Sequence, residues 1–241
     1  MNRTWSPFVL IAWLGLSHPA AAIVLGQIDD FQSGSLQGWT GGSQNINQPN
    51  GGPGGAGDRY MQISSGGANL GTFNATQWAG NYAAAAVGRV TFDLSNFGPD
   101  PVSLRVMIMT AGCDGGATGC TAWTSTNATV LPAGVGWVKV EFSLLEPDLT
   151  RVRGLASYAT TVSAVERLLI HQDAGPPDPP GVASFVNAVL GIDNVTALPE
   201  PPRDVALAVL CALSFGLRTV VRRGFPGVDR GTARKRVSVE L

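Results

Sequence analysis

The stretch WVKVEFSL, residues 137–144, places Val138, Val140, Phe142 and Leu144 on one side of an extended chain, with Trp137, Lys139, Glu141 and Ser143 on the other. Alternation with a period of two marks a half-buried strand, because a helix needs apolar residues recurring near every 3.6 positions. The same pattern repeats outward in both directions. RVTFDL (89–94) sets Val90, Phe92 and Leu94 on one face, and VSLRVMIM (102–109) does so with Val102, Leu104, Val106 and Ile108. VERLLIH (165–171) and VLGIDNV (189–195) supply further strands, and Gly, Asn, Asp and Pro punctuate the intervals. Only 149–168, LTRVRGLASYATTVSAVERL, suits a short helical turn. About eight to ten strands between Ile23 and Leu198 predict an all-β, antiparallel sandwich.

Composition supports the same class. Gly (31) and Pro (16) are abundant in the 241 residues, and charged residues make up only 14%; many turns and few charges favour strands joined by loops over a helical bundle. The net charge of −1 hides a division. Residues 23–198 carry 13 acidic and 7 basic groups, whereas 199–241 carry 4 acidic and 8 basic. An acidic body argues against nucleic acid as its partner.

Both ends read as addresses. The N-terminus joins Arg3, an apolar stretch from Phe8 to Leu16, and an Ala20-x-Ala22 pair. That is the three-part plan of a secretory signal peptide cleaved after Ala22. Export places Cys113 and Cys120, in AGCDGGATGC, in an oxidising compartment where a disulfide between them is expected. Near the other end, Val205–Leu217 is uncharged. As a helix it spans about 20 Å, or about 26 Å if continued to Val221, against a bilayer core of about 30 Å. Arg218, Arg222 and Arg223 follow it, and positive charge on that side orients the tail to the cytoplasm.

Pro199-Glu200-Pro201, one apolar helix and an arginine cluster, in that order, resemble the PEP-CTERM sorting signal of Gram-negative bacteria. The resemblance implies a temporary inner-membrane anchor, processed at the Pro-Glu-Pro motif by an exosortase-like enzyme, on a protein bound for the cell surface or an extracellular polysaccharide matrix. This chain departs from the pattern where Arg218 interrupts the run and 18 residues follow Arg223. A plain, uncleaved anchor is the alternative. The expected layout is a signal peptide over 1–22, a sandwich over 23–198, a sorting segment over 199–223 with a membrane helix at about 205–221, and a basic cytoplasmic tail over 224–241.

The body carries a second resemblance. IDDFQSGSLQGW (28–39) opens it, GGPGGAGDRYMQI (51–63) follows, and GIDNV (191–195) closes it. These stretches are similar to those of carbohydrate-binding-module-like and galactose-binding-like jelly rolls. The resemblance implies a jelly-roll-like sandwich with its first and last strands side by side. Asp29, Asp30 and Asp193 would then lie near one another, and their oxygens suit a structural calcium; the alternative is that they cap turns and face solvent. Exposed aromatic faces with polar neighbours suit sugar rings, which makes Trp78 in NATQWAGNY and Trp123 in CTAWTSTN candidate ligand-binding residues. Ordinary packing is the competing role for both. Trp39 and Trp137 are expected in the core or at its rim.

Catalytic chemistry has little material. His171 is the one histidine after the signal, and no G-x-S-x-G elbow accompanies it. The body's glutamates are Glu141, Glu146 and Glu166, with no local cluster of the kind a retaining glycosidase needs. The sequence therefore predicts an exported, non-catalytic surface or matrix protein that binds extracellular polysaccharide. Two alternatives stay open: a structural matrix protein without a specific ligand, and a polysaccharide-active hydrolase using Glu141 or Glu166.

Overall fold

A computed structural model describes residues 22–113, 119–179 and 184–201. The chain runs through β1 (Ile28–Asp29), β2 (Trp39–Thr40), β3 (Gln44–Gln48), β4 (Tyr60–Asn69), β5 (Gly71–Asn74), β6 (Arg89–Asn96) and β7 (Val102–Met109). It continues through β8 (Ala122–Ser125), β9 (Thr129–Leu131), β10 (Val138–Ser143), β11 (Leu149–Arg153), a helical turn α1 (Tyr158–Val162), β12 (Arg167–Gln172) and β13 (Phe185–Leu198). These strands form two antiparallel sheets. One has the order β10-β6-β13-β4-β3 with β1 on the free end of β13; the other has β11-β8-β7-β12-β5-β2 with β9 added to β7. The all-β antiparallel sandwich is the observed architecture.

Alternation explains the packing. Val90, Phe92 and Leu94 on β6 and Val102, Leu104, Val106 and Ile108 on β7 are all fully buried in one core between the sheets. Across the β6–β10 pair, Phe142 meets Phe92 edge-on with ring centroids 5.7 Å apart. Each such side chain stabilises the fold by about 1.5–3 kcal/mol relative to exposure. Because β10 is an edge strand, its first inward residue, Val138, stays partly exposed while Val140, Phe142 and Leu144 are buried.

The strand β13 changes face within its length. Val186, Ala188, Leu190 and Ile192 point inward, and after a register shift between Asp193 and Thr196 the inward residues become Val195 and Ala197. Asn194 makes the shift with φ of 48°, a left-handed conformation that asparagine tolerates better than most residues. Its amide donates to Asp93 Oδ2 at 2.9 Å. Thus the Asp-Asn pair of the closing motif is a β-bulge that re-aims the end of the strand.

The terminal strands do lie together, Ile28 opposite Thr196 and Asp29 opposite Val195. The compact unit closes at Glu200. Pro199 is fastened to the domain by Arg89, whose Nε donates to its carbonyl at 2.9 Å. Among the described residues no helix is long and apolar enough to cross a membrane. The expected signal peptide over 1–22, apart from Ala22, the membrane helix at 205–221 with Arg218, Arg222 and Arg223, and the basic tail over 224–241 all lie outside the described residues.

Candidate binding face

The opening motif builds a buried knot. Asp29 is buried, and its Oδ2 accepts from both Trp39 Nε1 and Trp78 Nε1 at 2.7 Å, while Gln77 Nε2 donates to Oδ1. Burial raises the Asp29 pKa, opposed by these donors. The knot corrects the reading of Trp78 as an exposed platform. Its ring is fully buried, 6.2 Å from Trp39, because an indole can enter a core once its N–H has an acceptor. Trp123 is half-buried, with Tyr158 edge-on at 5.9 Å and the Arg151 guanidinium 5.8 Å over its ring.

The expected calcium ligands do not form one set. Asp29 is committed to three N–H donors, and Asp30 Oδ1 accepts from the Gln32 backbone. Asp193 is fully buried beneath the outer surface of its sheet, with Oδ1 accepting from Asn194 N at 2.8 Å. Burial, aided by repulsion from Asp58, Asp93 and Asp30, pushes its pKa up to about 7. Among the described residues no three His, Cys, Asp or Glu side chains converge as a metal site. The residues present do not fit the expected ion.

Cys113 and Cys120 are joined in a disulfide, Cα atoms 5.1 Å apart. The bridge packs with Met107, Met109 and Ala122 in a second apolar cluster, on the outer side of the seven-stranded sheet. Farther along that side Arg105 is buried, paired with Asp173 at 3.1 Å and donating to the carbonyls of Ser125, Thr126 and Gly175. Beside it, burial lowers the His171 pKa to about 4, so the imidazole is neutral at physiological pH. This surface is largely spent on its own packing. Glu141 is bound to Arg89 at 2.9 Å on the six-stranded sheet, and Glu166 to Arg167 at 3.3 Å next to the seven-stranded one.

The outer side of the six-stranded sheet differs. Tyr60, Phe97 and Trp137 form a mutually packed aromatic triad, with Trp137 edge-on to Tyr60 at 5.1 Å and to Phe97 at 5.9 Å, and Tyr60 5.9 Å from Phe97. Tyr60 is the buried foot, Trp137 is half-buried, and Phe97 is 47% exposed. Two devices hold the rings. Trp137 Nε1 donates to the Gly51 carbonyl at 2.9 Å. Beneath them lies Gly191, where a Cβ would come within 2.7 Å of Trp137 Cη2 and 2.9 Å of Phe97 Cε2. Gln62, directly opposite Gly191 on β4, accepts from Gln48 Nε2 at 3.2 Å. Aromatic surface beside side-chain amides is the combination that receives a ring bearing hydroxyls: apolar contact on the carbon face and hydrogen bonds at the edge.

Reading the sequence missed this triad. The signal for Trp137 was present, since the alternation of WVKVEFSL puts it on the outward side with Lys139 and Glu141. Phe97 and Tyr60 carried no such signal, because only the pairing of β6, β13 and β4 brings them to it.

No family model matches the chain, and no curated protein matches it. Among solved structures, it is similar to CtCBM11 in a solution structure, described with its dynamics and binding studies, at 15% identity, covering 74% of this chain and 97% of that one with a TM-score of 0.49. It is also similar to the family 22 carbohydrate-binding module at the C-terminus of Clostridium thermocellum Xyn10B, at 15% identity, covering 72% and 94% with a TM-score of 0.43. A third match is an exo-beta-agarase, at 11% identity, covering 74% of this chain but 26% of that enzyme, with a TM-score of 0.49. Likeness this distant transfers no ligand.

Proposed function

We propose that this protein is an exported, non-catalytic β-sandwich that binds polysaccharide on the outer side of its six-stranded sheet and reaches the cell surface through its C-terminal sorting segment. The single observation that carries the binding reading is the Tyr60–Phe97–Trp137 triad, ordered by Gly191 and the Gly51 carbonyl yet open to solvent at Phe97. Aromatics fixed before the ligand arrives lose little freedom on binding, which favours affinity.

Placement supports the delivery reading. Strand β6 starts at Arg89, next to Pro199, and ends at Asn96, next to Phe97. Eight residues at about 3.4 Å each separate Phe97 from Arg89 and Pro199 by about 25 Å. A tether attached beyond Pro201 therefore leaves the aromatic face at the far end. The anchor, its cleavage by an exosortase-like enzyme and the surface destination rest on the order of Pro-Glu-Pro motif, apolar run and arginines.

Two measurements test the reading. Depletion of the purified protein by insoluble polysaccharides is expected, with loss on Trp137→Ala; failure to bind any of them contradicts the function. Intact mass of the protein recovered from its native host is expected to end near Pro201. Retention of Leu241 in the inner membrane contradicts sorting.

A further inference from the structure

Resting on the polysaccharide-binding reading, we infer that the ligand is an uncharged polysaccharide chain that lies across the strands of the six-stranded sheet, from Trp137 and Phe97 toward Ile46. The pairing registers place Ser95, Gly191, Gln62 and Ile46 in one row across β6, β13, β4 and β3, with Trp137 seated over Gly191. The next row toward the far end holds Val189, Ser64 and Gln44, with Phe97 alongside, its N–H donating to the Val189 carbonyl. None of the eight side chains at these nine positions ionises.

That neutrality is local. One row toward the chain's exit, the same surface carries Lys139 and Asp93, paired at 2.8 Å, opposite the buried Asp193. Beyond them lie Arg89 and Glu141. Within the strands the ionisable groups are concentrated at that end and the two rows carry none. The groups flanking the aromatic end, Asp58 in the loop that receives Trp137 and Asp100 bonded to the Asn187 N–H, are acidic and repel an anionic polymer. An anionic polymer gains nothing there, since no cation lines the rows to repay the loss of its hydration. A neutral one offers what the rows can bind, apolar ring faces for Trp137, Phe97 and the 39%-exposed Ile46, and hydroxyls for Gln44 and Gln62.

Length follows from the sheet. From Ser95 to Ile46 are three interstrand spacings, about 14 Å, with Trp137 extending the row past β6. That is more than a single sugar ring covers, so affinity should rise with oligomer length. The glutamine pair Gln48–Gln62 lies midway, where amide groups meet the middle of the chain.

Affinity electrophoresis of the whole purified protein, in gels containing neutral glucan, neutral galactan or an anionic polyuronate, tests this. Retardation by a neutral polymer alone is expected, equal at low and high salt because no ion pairs form. Phe97→Ala and Trp137→Ala should each weaken it about tenfold, whereas Leu155→Ser, 90% exposed and remote from these rows, should not. Phe97 is half out of the fold, so its removal leaves the domain intact even if Trp137→Ala unfolds it. Retardation by the polyuronate alone, abolished by salt, overturns the uncharged class while leaving polysaccharide binding in place. Neutral binding that survives both substitutions overturns the location. Retardation by none of the gels overturns the underlying function as well.

Discussion

Gly191 has no side chain because two aromatic rings stand where one would be. Gly191→Ala pushes a methyl into Trp137 and Phe97, and overpacking of this kind costs about 1–3 kcal/mol unless the rings move away. The expected outcome is a lower melting temperature together with weaker polysaccharide binding; unchanged values of both contradict the seating of the triad. Asp29 plays the corresponding role inside. Asp29→Ala leaves the indole N–H groups of Trp39 and Trp78 buried without an acceptor, which costs about 2–6 kcal/mol for the two. Chemical denaturation should register that loss, and a variant as stable as the wild type contradicts the knot.

Asp193 and His171 set opposing pH dependences. Asp193 has a folded pKa of about 7 against an ordinary 3.8, so the folded state holds its proton more tightly than the unfolded one. Its contribution is full below about 3.8 and is lost as pH rises through about 7. His171 is lowered from 6.5 to about 4, so its contribution is full above 6.5 and is lost as pH falls through about 4. Thermal melts with a chelator present should therefore show Asp193→Asn gaining stability over the wild type as pH rises past neutrality. The variant should keep the acid-side loss that His171 causes. Equal curves for the two proteins contradict the burial of Asp193 as a carboxylate.

At the scale of elements, the strands most legible in the sequence are those whose alternating faces differ in polarity, β6 and β10. In β7 the second face, with Arg105, Met107 and Met109, is also buried, so its alternation told only half of the environment. The shortest strands, β1 and β2, are too brief to show a period, and β3, QNINQ, presents one apolar residue among amides. Their pairing is a tertiary outcome, and the observed 13 strands exceed the expected number for that reason. Trp78 misled because its polar neighbours were taken as partners for a ligand, when Gln77 and Asp29 form the inner network instead. The disulfide was legible from spacing and compartment. Joining residues 7 apart, it removes about 2–2.5 kcal/mol of unfolded-state entropy. A Cys113→Ser, Cys120→Ser double variant should lose about that much in denaturant titration, and no loss contradicts the contribution of the bridge.

At the scale of the whole molecule, the two sheets have divided the work. The seven-stranded sheet buries its outer side against a disulfide-linked apolar cluster and the Arg105–Asp173 pair. The six-stranded sheet holds both chain termini of the sandwich at one end and an open aromatic surface at the other. That polarity suits a module carried on a tail and turned toward its surroundings. The proposed function places polysaccharide binding at Trp137. Calorimetric titration of the folded wild type and of Phe97→Ala and Trp137→Ala with a soluble neutral oligosaccharide tests it most directly. The account predicts saturable binding that weakens about tenfold in each variant whose melting curve remains cooperative. Binding of equal strength in wild type and folded variants contradicts it.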